Sequence, residues 1–329
     1  MDLPLNPGDK YALIALEVPT PDFDGSIDLG GGLVALRGGS LRVPEHWREW
    51  IGSIESDAIE QARLLLLARQ RSQRPDVLDN ENLELQHRTE WLFWGLLATG
   101  AFRWGRPGTQ LSGANVNGEI SVRQRATLPM VFTLPGVRPE RVSQVHLRRA
   151  AALATNLGEL MERRRMLRRV KLAMRTFWFA FAEPDLGQRI HQFVRVVSDG
   201  FAKAFGAADF KRRCEAFLVN AKVARRQLYL IRNNAEHFNA PERRLGRLPR
   251  RRALERAYLR AHQAEALARH CVARFIERPK LWSVYMNETR LDAFWKQQVR
   301  ALSQAWGPRL DLNAALATFE PRWVPDEGT

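Results

Sequence analysis

Residues 232–237 (RNNAEH) combine the residue types that phosphate chemistry needs. The guanidinium of an arginine offers five N–H donors in a planar fork that suits phosphate oxygens. The imidazole of a histidine accepts and donates protons near neutral pH, so it can act as a general base or a general acid. Arg232 and His237 could therefore hold a phosphodiester and move protons without a metal ion. In a strongly basic chain, this combination indicates cleavage of RNA, whose 2′-hydroxyl can attack the adjacent phosphorus.

The spacing alone carries no weight, because arginine is so common in this chain. Of the 51 basic residues 44 are arginine, and there are 7 histidines. An arginine five to seven positions before a histidine is expected about three times by chance. It does occur three times, with histidines at positions 146, 237 and 262. Only Arg232 is followed directly by asparagine, Asn233, and only this segment follows an apolar helical run, at residues 228–231.

Positive charge is concentrated in the second half of the chain. Residues 1–137 contain 13 basic and 17 acidic residues, whereas residues 138–329 contain 38 basic and 19 acidic ones. Such asymmetry indicates a polyanion-binding part joined to a neutral or acidic part. Nucleic acid is the first candidate, because phosphate neutralisation supplies most non-specific affinity. The alternative is an arginine-rich, solvated helical surface with no nucleic-acid role.

The composition is that of a globular protein with room for two domains, at 329 residues, 45% hydrophobic and 26% charged. Cys214 and Cys271 lie far apart and the histidines lack metal-binding spacing, so we expect no metal and no cofactor. The first ten residues do not resemble a signal peptide. The longest apolar stretch, residues 91–102, has 12 residues and is too short to span a bilayer. We therefore expect a cytoplasmic protein without a membrane partner.

The N-terminal half has a mixed α and β pattern. Residues 11–18 and 27–37 have the apolar, β-branched composition of strands, and the glycines at 30–32 indicate a bulge or loop. Helical spacing predicts helices over residues 44–70 and 84–102, with a loop at 71–82 between them. Residues 113–118 (GANVNG) indicate a turn, followed by one or two strands over 119–134.

After Pro139 the pattern is helical. It predicts helices over residues 140–182, 190–201, 209–237, 251–277 and 281–306, with Asp185 as a cap and a break near Asn220. Several helices with short connections are typical of a bundle. The predicted fold is an α+β region over residues 1–137, followed by an all-α helical bundle over residues 138–329.

A recognisable sequence surrounds the Arg232 segment. The basic and apolar run at residues 210–218 (FKRRCEAFL) precedes it, and LYLIRN at residues 228–233 leads into it. Together with Arg232, Asn233 and His237, these features resemble the HEPN superfamily, in particular its ApeA-like members. The resemblance covers about residues 140–280. Phe238 stands where a glycine often follows the histidine, and Asn239 stands where one antitoxin-controlled branch carries a tyrosine.

The resemblance implies a helical bundle that dimerises so that two motifs face each other, and metal-independent cleavage of RNA. Arg232, Asn233 and His237 would be the catalytic residues. Positions five apart lie about 140° around a helix axis, so one protomer alone would splay Arg232 from His237. Two symmetry-related histidines could then share the roles of base and acid. The resemblance also implies a toxin or an effector of anti-phage defence, with an antitoxin or regulatory partner as one form of control.

An electrostatic track for the RNA backbone is predicted just after the motif. Its arginines are Arg243, Arg244, Arg247, Arg250 and Arg251. The alternative for this stretch is a solvated basic loop. The tryptophans could stack on bases, although core packing fits their scatter along the chain better.

Three alternatives remain open from the residues. Arg232 and His237 could only stabilise a helix end, with Glu236 paired to Arg232 across one turn. The protein could bind RNA or a partner protein without cutting, or it could be an interaction scaffold.

The N-terminal half, with its opposite charge, would be a sensor or regulator of the helical half.

Overall fold

The computed structural model describes residues 3–39, 41–163, 167–237 and 248–324. The chain forms two compact units. The first comprises Met1–Val131 and Pro139–Gly158, and the second comprises Phe132–Arg138 and Glu159–Thr329. The boundary predicted near residue 137 lies where segments of the two units alternate. The coarse prediction of an N-terminal region with a sheet and helices, followed by a helical region, is confirmed.

The first unit is built on a six-stranded antiparallel sheet of order β2-β3-β4-β1-β5-β6. Its strands are β1 Asp9–Leu16, β2 Ser26–Gly30, β3 Leu33–Arg37, β4 Leu64–Arg71, β5 Thr109–Val116 and β6 Glu119–Thr127. Its helices are α1 Glu45–Ile51, α2 Ser53–Gln61 and α3 Asn80–Thr99. The first fifteen residues of α4, Gln144–Glu162, also belong to this unit.

The central strand β1 is buried along its whole length. Because successive side chains point to opposite faces of a sheet, Tyr11, Leu13 and Ala15 share one face, and they join a core with Trp47 and Ile59 of α1 and α2. The intervening residues occupy the other face, and α3 packs against β1, β4 and β5. An apolar layer on both faces explains why β1 is hydrophobic without interruption from Tyr11 to Leu16.

Strand β4 corrects the sequence prediction, which extended a helix from residue 44 to residue 70. The structure has α1 and α2 and then the strand, in which five consecutive residues are buried. Leucine is a good helix former, so LLLL carries no local preference for a strand. Pairing with β1 and β3 on either side, which is non-local, decides the conformation.

The turns agree in part with the prediction. Gly30, Gly31 and Gly32 all have positive φ and form the irregular turn between β2 and β3, as expected for a bulge or loop. The turn predicted over residues 113–118 is confined to Asn117 and Gly118, both with positive φ. The preceding residues of that stretch continue β5, because they pair with β1 and β6.

The second unit is mainly helical. Its larger helices are α5 Arg168–Ala180, α6 Leu186–Arg195, α7 Ala207–Arg213, α8 Lys222–Glu236, α9 Arg250–Glu277, α11 Glu288–Trp295 and α12 Val299–Trp306. Short helices are α10 Pro279–Trp282 and α13 Leu312–Ala315, and a parallel pair is formed by β7 Leu218–Val219 and β8 Leu310–Asp311. The predicted cap is confirmed, since Asp185 Oδ1 accepts the N–H of Gln188 at 2.7 Å.

Aromatic side chains fill much of the core of this unit. Trp282, Trp295 and Trp306 are among its largest fully buried side chains. Phe201 and Phe275 meet Trp306 at ring-centroid distances of 5.8 and 6.2 Å. The preference for core packing over base stacking is confirmed for these three tryptophans.

Helix α9 is unusual because it buries polar and charged side chains. Glu265 Oε2 accepts from Arg189 Nη2 of α6 at 2.9 Å, and Glu265 Oε1 accepts from Arg269 Nη2 at 2.7 Å. Burial by itself would raise the pKa of Glu265. The charges of Arg269 and Arg189 outweigh it and bring the pKa to about 2. This ion network ties α6 to α9 inside the core.

We expect Glu265→Gln to destabilise the protein by roughly 3–5 kcal/mol at pH 7, because it leaves two buried arginines without a countercharge. The pKa of Glu265 is lowered by folding, so its contribution is complete above the ordinary pKa of glutamate. That contribution is lost as the pH falls towards 2. Calorimetric unfolding of wild type and variant at pH 7 and pH 3 measures both effects.

The matched control is Glu255→Gln on the same helix, since Glu255 pairs with Arg251 at a partly exposed position. Its cost should stay below about 1 kcal/mol. Equal costs for the two variants, or a Glu265→Gln cost that does not shrink at pH 3, would contradict the role assigned to the network.

Candidate functional site

Helix α8 carries the predicted motif at its C-terminal end. Leu228, Ile231 and Ala235 are buried at helical spacing, and the helix packs against α6, α7 and α9. This face fixes the rotation of α8. Arg232, next to Ile231, is consequently largely buried at the edge of the packed face, with 13% of its side chain exposed.

The guanidinium of Arg232 is held by two carboxylates. Its Nη2 lies 3.2 Å from Asp199 Oδ2 and 3.3 Å from Glu236 Oε1. Its Nη1 donates to Asn233 Oδ1 over a long 3.4 Å, and its Cζ lies 5.7 Å from the ring centroid of Tyr229. Charge-assisted pairs of this kind orient the planar fork. They also offset its positive charge.

Asp199 lies in a π-helix, Val196–Phe201, which continues α6. Single π-turns within helices are frequent at functional sites, because the wider turn redirects side chains. The carbonyl of Asp199 accepts from Arg169 Nη1 at 2.9 Å, and its Oδ1 accepts from the hydroxyl of Ser198 at 2.7 Å. A Cβ at Gly200 would lie 2.3 Å from that of Ala173, so this close approach to α5 requires glycine.

A second histidine belongs to the Arg232 cluster, the group formed by Arg232, Asp199 and Glu236. His191 of α6 is half-buried, and its Nδ1 is buried without a hydrogen-bond partner in the described residues. Burial lowers the pKa of His191 below its ordinary value. The carboxylate of Glu236 acts in the opposite direction, and the charge of Arg232 lowers the pKa further. His191 is therefore held neutral at neutral pH, in the form that accepts a proton.

The other predicted residues lie around this cluster. Asn233 is half-buried beside Arg232. His237 is the exposed C-cap residue of α8, and its backbone N–H donates to the carbonyl of Asn234 at 3.0 Å. Within the described ranges, no hydrogen bond or ion pair joins the imidazole of His237 to Arg232. Their five-residue spacing corresponds to about 140° around a helix axis.

The helix-end alternative also has support in the structure. The pair between Arg232 and Glu236 across one turn is present, and His237 does end the helix. The pair with Asp199, 33 residues earlier, is not explained by that alternative. It draws the guanidinium towards α6 and His191 instead of leaving it along the surface of α8.

The two competing arginine–histidine spacings have structural explanations. Nδ1 of His146 lies 3.0 Å from the hydroxyl of Ser143, and its Nε2 lies 3.3 Å from Glu140 Oε2, at the start of α4. Nε2 of His262 lies 2.8 Å from the carbonyl oxygen of Pro135, and the imidazole ring of His262 packs against the ring of Phe319. His262 also lies near the charged Glu265 network, so the feature that distinguishes the spacing at Arg232 is a second imidazole beside the arginine, that of His191.

The predicted basic track falls mostly outside the described residues. Arg243, Arg244 and Arg247 lie there. Arg250 and Arg251 begin α9, where Arg251 Nε donates to Glu255 Oε1 at 2.9 Å and its Nη2 donates to the carbonyl of Val324 at 2.9 Å. Arg251 is therefore engaged by protein groups.

Sequence reasoning missed Asp199 and His191. Neither has a local signal, since Asp199 stands in the apolar stretch VVSDGF and His191 in an amphipathic helix. Gln188, one turn before His191, donates to the carbonyl of Ala235 at 3.1 Å and fixes α6 against the end of α8.

Among the residues that the structure describes, no group of three or more histidine, cysteine, aspartate or glutamate side chains could hold a metal ion. Cys214 and Cys271 are free and buried, and burial raises the pKa of each thiol. In the same part of the chain, no helix is long and apolar enough to cross a membrane.

Comparison of the chain with models of protein families, with curated proteins and with solved structures finds no match. The site must therefore be judged on its own chemistry. That chemistry is an oriented guanidinium, a half-buried imidazole whose pKa is lowered by burial, and an exposed imidazole at the end of α8.

We expect Glu236→Gln to lower the pKa of His191 further, because the Glu236 carboxylate favours the charged imidazolium. An NMR titration of the imidazole resonances, with His191 assigned by substitution, measures the change. Glu215→Gln is the control, since Glu215 pairs with Arg225 and does not act on His191. A His191 that titrates at or above 6.5 in the wild type would show that burial does not govern it.

Proposed function

We propose that this protein is a metal-independent endoribonuclease of HEPN type. The observation that carries the proposal is the geometry around Arg232. The guanidinium is oriented by Asp199 and Glu236 beside His191, and His237 is exposed at the end of the same helix. The concentration of positive charge in the second half of the chain supports a polyanionic substrate.

The reaction is transesterification at phosphorus. The 2′-oxygen of a ribose attacks the adjacent phosphorus, the bond from phosphorus to the 5′-oxygen breaks, and the products carry a 2′,3′-cyclic phosphate and a 5′-hydroxyl. One imidazole takes the 2′-hydroxyl proton, and a protonated imidazole supplies a proton to the leaving 5′-oxygen. Arg232 stabilises the negative charge that builds on the phosphoryl oxygens. DNA lacks the 2′-hydroxyl and is therefore not cut.

The source of the second imidazole defines the assembly. In the proposed dimer, His237 of each copy approaches the Arg232 of the other, which overcomes the splaying within one chain. Asn233 then binds phosphate or orients a histidine. His191, on the same chain as Arg232, is the alternative second imidazole, and its substitution distinguishes the two arrangements.

The carboxylates around Arg232 favour a second candidate function. Asp199 and Glu236 already neutralise the guanidinium, with side chains that are 41% and 40% exposed. A phosphate must displace them before Arg232 can act on it. A protein that binds RNA without cutting it, through its other arginines, is the candidate that this pairing favours.

We expect the purified protein to cleave RNA in EDTA, with 2′,3′-cyclic phosphate ends identified on the products. Arg232→Ala and His237→Ala should each lower the cleavage rate by roughly 10²–10⁴-fold, the range typical of losing one proton-transfer or charge-stabilising group. His191→Ala should have a comparable effect only if His191 supplies the second imidazole.

Matched controls are Arg226→Ala, which removes an exposed arginine from the same helix, and His46→Ala, which removes an exposed histidine from the first unit. Both should retain activity within about two-fold. Cleavage that requires a divalent metal, or that survives both Arg232→Ala and His237→Ala, would refute the proposed chemistry.

RNA affinity separates the two candidate functions. A catalytic Arg232 can be removed with binding largely kept, whereas a phosphate contact lowers affinity modestly and reduces the salt dependence of binding by about one unit. RNA binding without cleavage supports the non-catalytic candidate. Negligible RNA binding at low salt leaves the interaction scaffold.

The biological role rests on the resemblance to HEPN proteins and is part of the proposal. Under this proposal, the nuclease is a cytoplasmic toxin or anti-phage effector, and the N-terminal unit senses a trigger or restrains cleavage. A regulatory or antitoxin partner is a further means of control. Because residues 132–138 belong to the second compact unit and residues 139–158 to the first, a truncation at residue 137 would divide both units.

A further inference from the structure

A second polar site lies at the opposite end of α8, about 15 Å before Arg232 along the helix axis. It is a cavity of about 240 Å³. Residues 219–224, which lead from β7 into α8, form one wall. Arg260 and Gln263 of α9 form another, and residues 311–313 at the end of β8 complete the lining.

Arg260 is the charged group of this cavity and is 7% exposed. Its Nε donates to Gln227 Oε1 at 2.6 Å, and its Nη1 donates to Gln263 Oε1. Both acceptors are neutral amides, which orient the fork without cancelling its charge. No bond to Nη2 is present within the described residues, and this nitrogen is not sealed off from solvent.

The lack of a countercharge sets Arg260 apart. The described part of the chain buries five cationic side chains, and four of them pair with a carboxylate at 2.9 Å or less. Those four are Lys10, Arg189, Lys203 and Arg269. A buried, unpaired charge is costly. Burial and the nearby charge of Arg256 lower the pKa of Arg260 to about 10, as expected for a cation that lacks an anion.

Backbone donors at the start of α8 face the same space. The first residues of the helix line the cavity, and no side chain caps this end. The first intrahelical bond runs from Arg225 N–H to the carbonyl of Ala221 at 2.9 Å, so the amides of residues 222–224 have no acceptor within the helix. The positive end of the helix dipole adds to the charge of Arg260.

A side-chain amide supplies a further donor. Gln263 is 3% exposed, and its oxygen is used by Arg260. Gln263 lines the cavity, and no hydrogen bond from its amide nitrogen is present in the described ranges. The one acidic lining residue, Asp311, is turned to its own helix, because its Oδ1 accepts from the N–H groups of Asn313 at 2.9 Å and Ala314 at 3.4 Å.

We propose that this cavity binds a phosphate group, presented as a phosphomonoester. Guanidinium, amide and helix-end donors converge from two helices. An anion with three free oxygens can use all of them, whereas a carboxylate has only two oxygens. The volume is below the range typical of pockets for larger organic ligands, so the cavity holds the phosphate with at most a sugar-sized portion of its carrier. The proposal does not depend on the nuclease function, because none of these residues belongs to the Arg232 cluster.

The test is calorimetric titration of the full-length protein with orthophosphate, at constant ionic strength maintained with chloride. The unfolding temperature is also measured with and without about 10 mM phosphate, a concentration high enough to detect binding of millimolar affinity. The wild type should release heat on binding and unfold at a higher temperature in phosphate. A wild type that gives neither response overturns the proposal.

Arg260→Met separates a ligand-binding arginine from a structural one. It keeps the length of the side chain and removes the unpaired charge, so the unliganded variant should unfold at the same temperature as wild type or higher. Its phosphate affinity should fall by roughly ten-fold or more, the loss expected for a charged hydrogen bond. Arg256→Met, an exposed neighbour on α9, is the control and should change affinity by no more than about two-fold.

Unchanged phosphate affinity in Arg260→Met overturns the assignment. If that variant fails to fold, Arg260→Lys takes its place. It keeps the charge but loses the fork, and it must still weaken phosphate binding several-fold for the proposal to stand.

The source of the phosphate is resolved by comparing ligands. Adenosine 5′-monophosphate is compared with adenosine. A 5′-phosphorylated 2′-O-methyl RNA trinucleotide, which cannot undergo 2′-hydroxyl attack, is compared with its 5′-hydroxyl form. If adenosine 5′-monophosphate binds more tightly than adenosine, the natural ligand is a small nucleotide. If the phosphate increases affinity only in the trinucleotide pair, the ligand is the 5′ end of an RNA. Equal affinity for every phosphate-bearing ligand assigns the free anion, and preference for the phosphate-free forms contradicts the proposal.

Discussion

The buried ion network of Glu265 with Arg189 and Arg269 is the constraint on which the helical unit depends. A carboxylate and two guanidinium groups can leave water only if their positions are closely matched, because any misalignment leaves a buried charge without a partner. The network therefore ties α6 to α9 in one register. Helix α8 packs against both, so the position of Arg232 follows from the same constraint.

The continuation of α6 explains how the candidate site is assembled. After Arg195 the helix widens into a π-turn, and Asp199 is directed towards Arg232. Gln188 binds the carbonyl of Ala235, so α6 meets the last turn of α8 at two places. One helix thus supplies the counterion of Arg232 and the neighbouring His191. A helix-end arginine becomes part of a charged corner through packing, not through its own sequence neighbours.

The two ends of α8 contrast in their electrostatics. At the C-terminal end, Arg232 is paired with two carboxylates and the imidazole of His191 is held neutral by burial. At the N-terminal end, Arg260 is buried without a carboxylate partner among the described residues, and it lines the same cavity as the uncapped start of the helix. The first arrangement orients a cation that is already neutralised, and the second leaves a cation in need of an anion. Helix α8 therefore separates an arginine whose charge is already balanced, Arg232, from one whose charge is not, Arg260.

Much of the architecture could be predicted from local patterns, and the predictions that were wrong have a common cause. Strand β1, helix α3, the glycine turn at residues 30–32 and the cap at Asp185 follow from composition, periodicity and capping chemistry. Strand β4 could not be predicted, because LLLLARQR suits a helix until β1 and β3 pair with it on both sides. The break near Asn220 was predictable in position, but not the parallel pairing of β7 with β8, in which Val219 and Asp311 also line the cavity.

The sequence by itself determined the motif residues Arg232, Asn233 and His237, the charge asymmetry of the two halves and the helical character of the second. These depend on residue identity and on spacing along one helix. Only the tertiary structure decided that Asp199 and His191 join Arg232, and that Arg260 has no countercharge in the part of the chain that the structure describes. Burial and ion pairing depend on which helices meet, and residues 33 or more positions apart carry no local signal of that meeting.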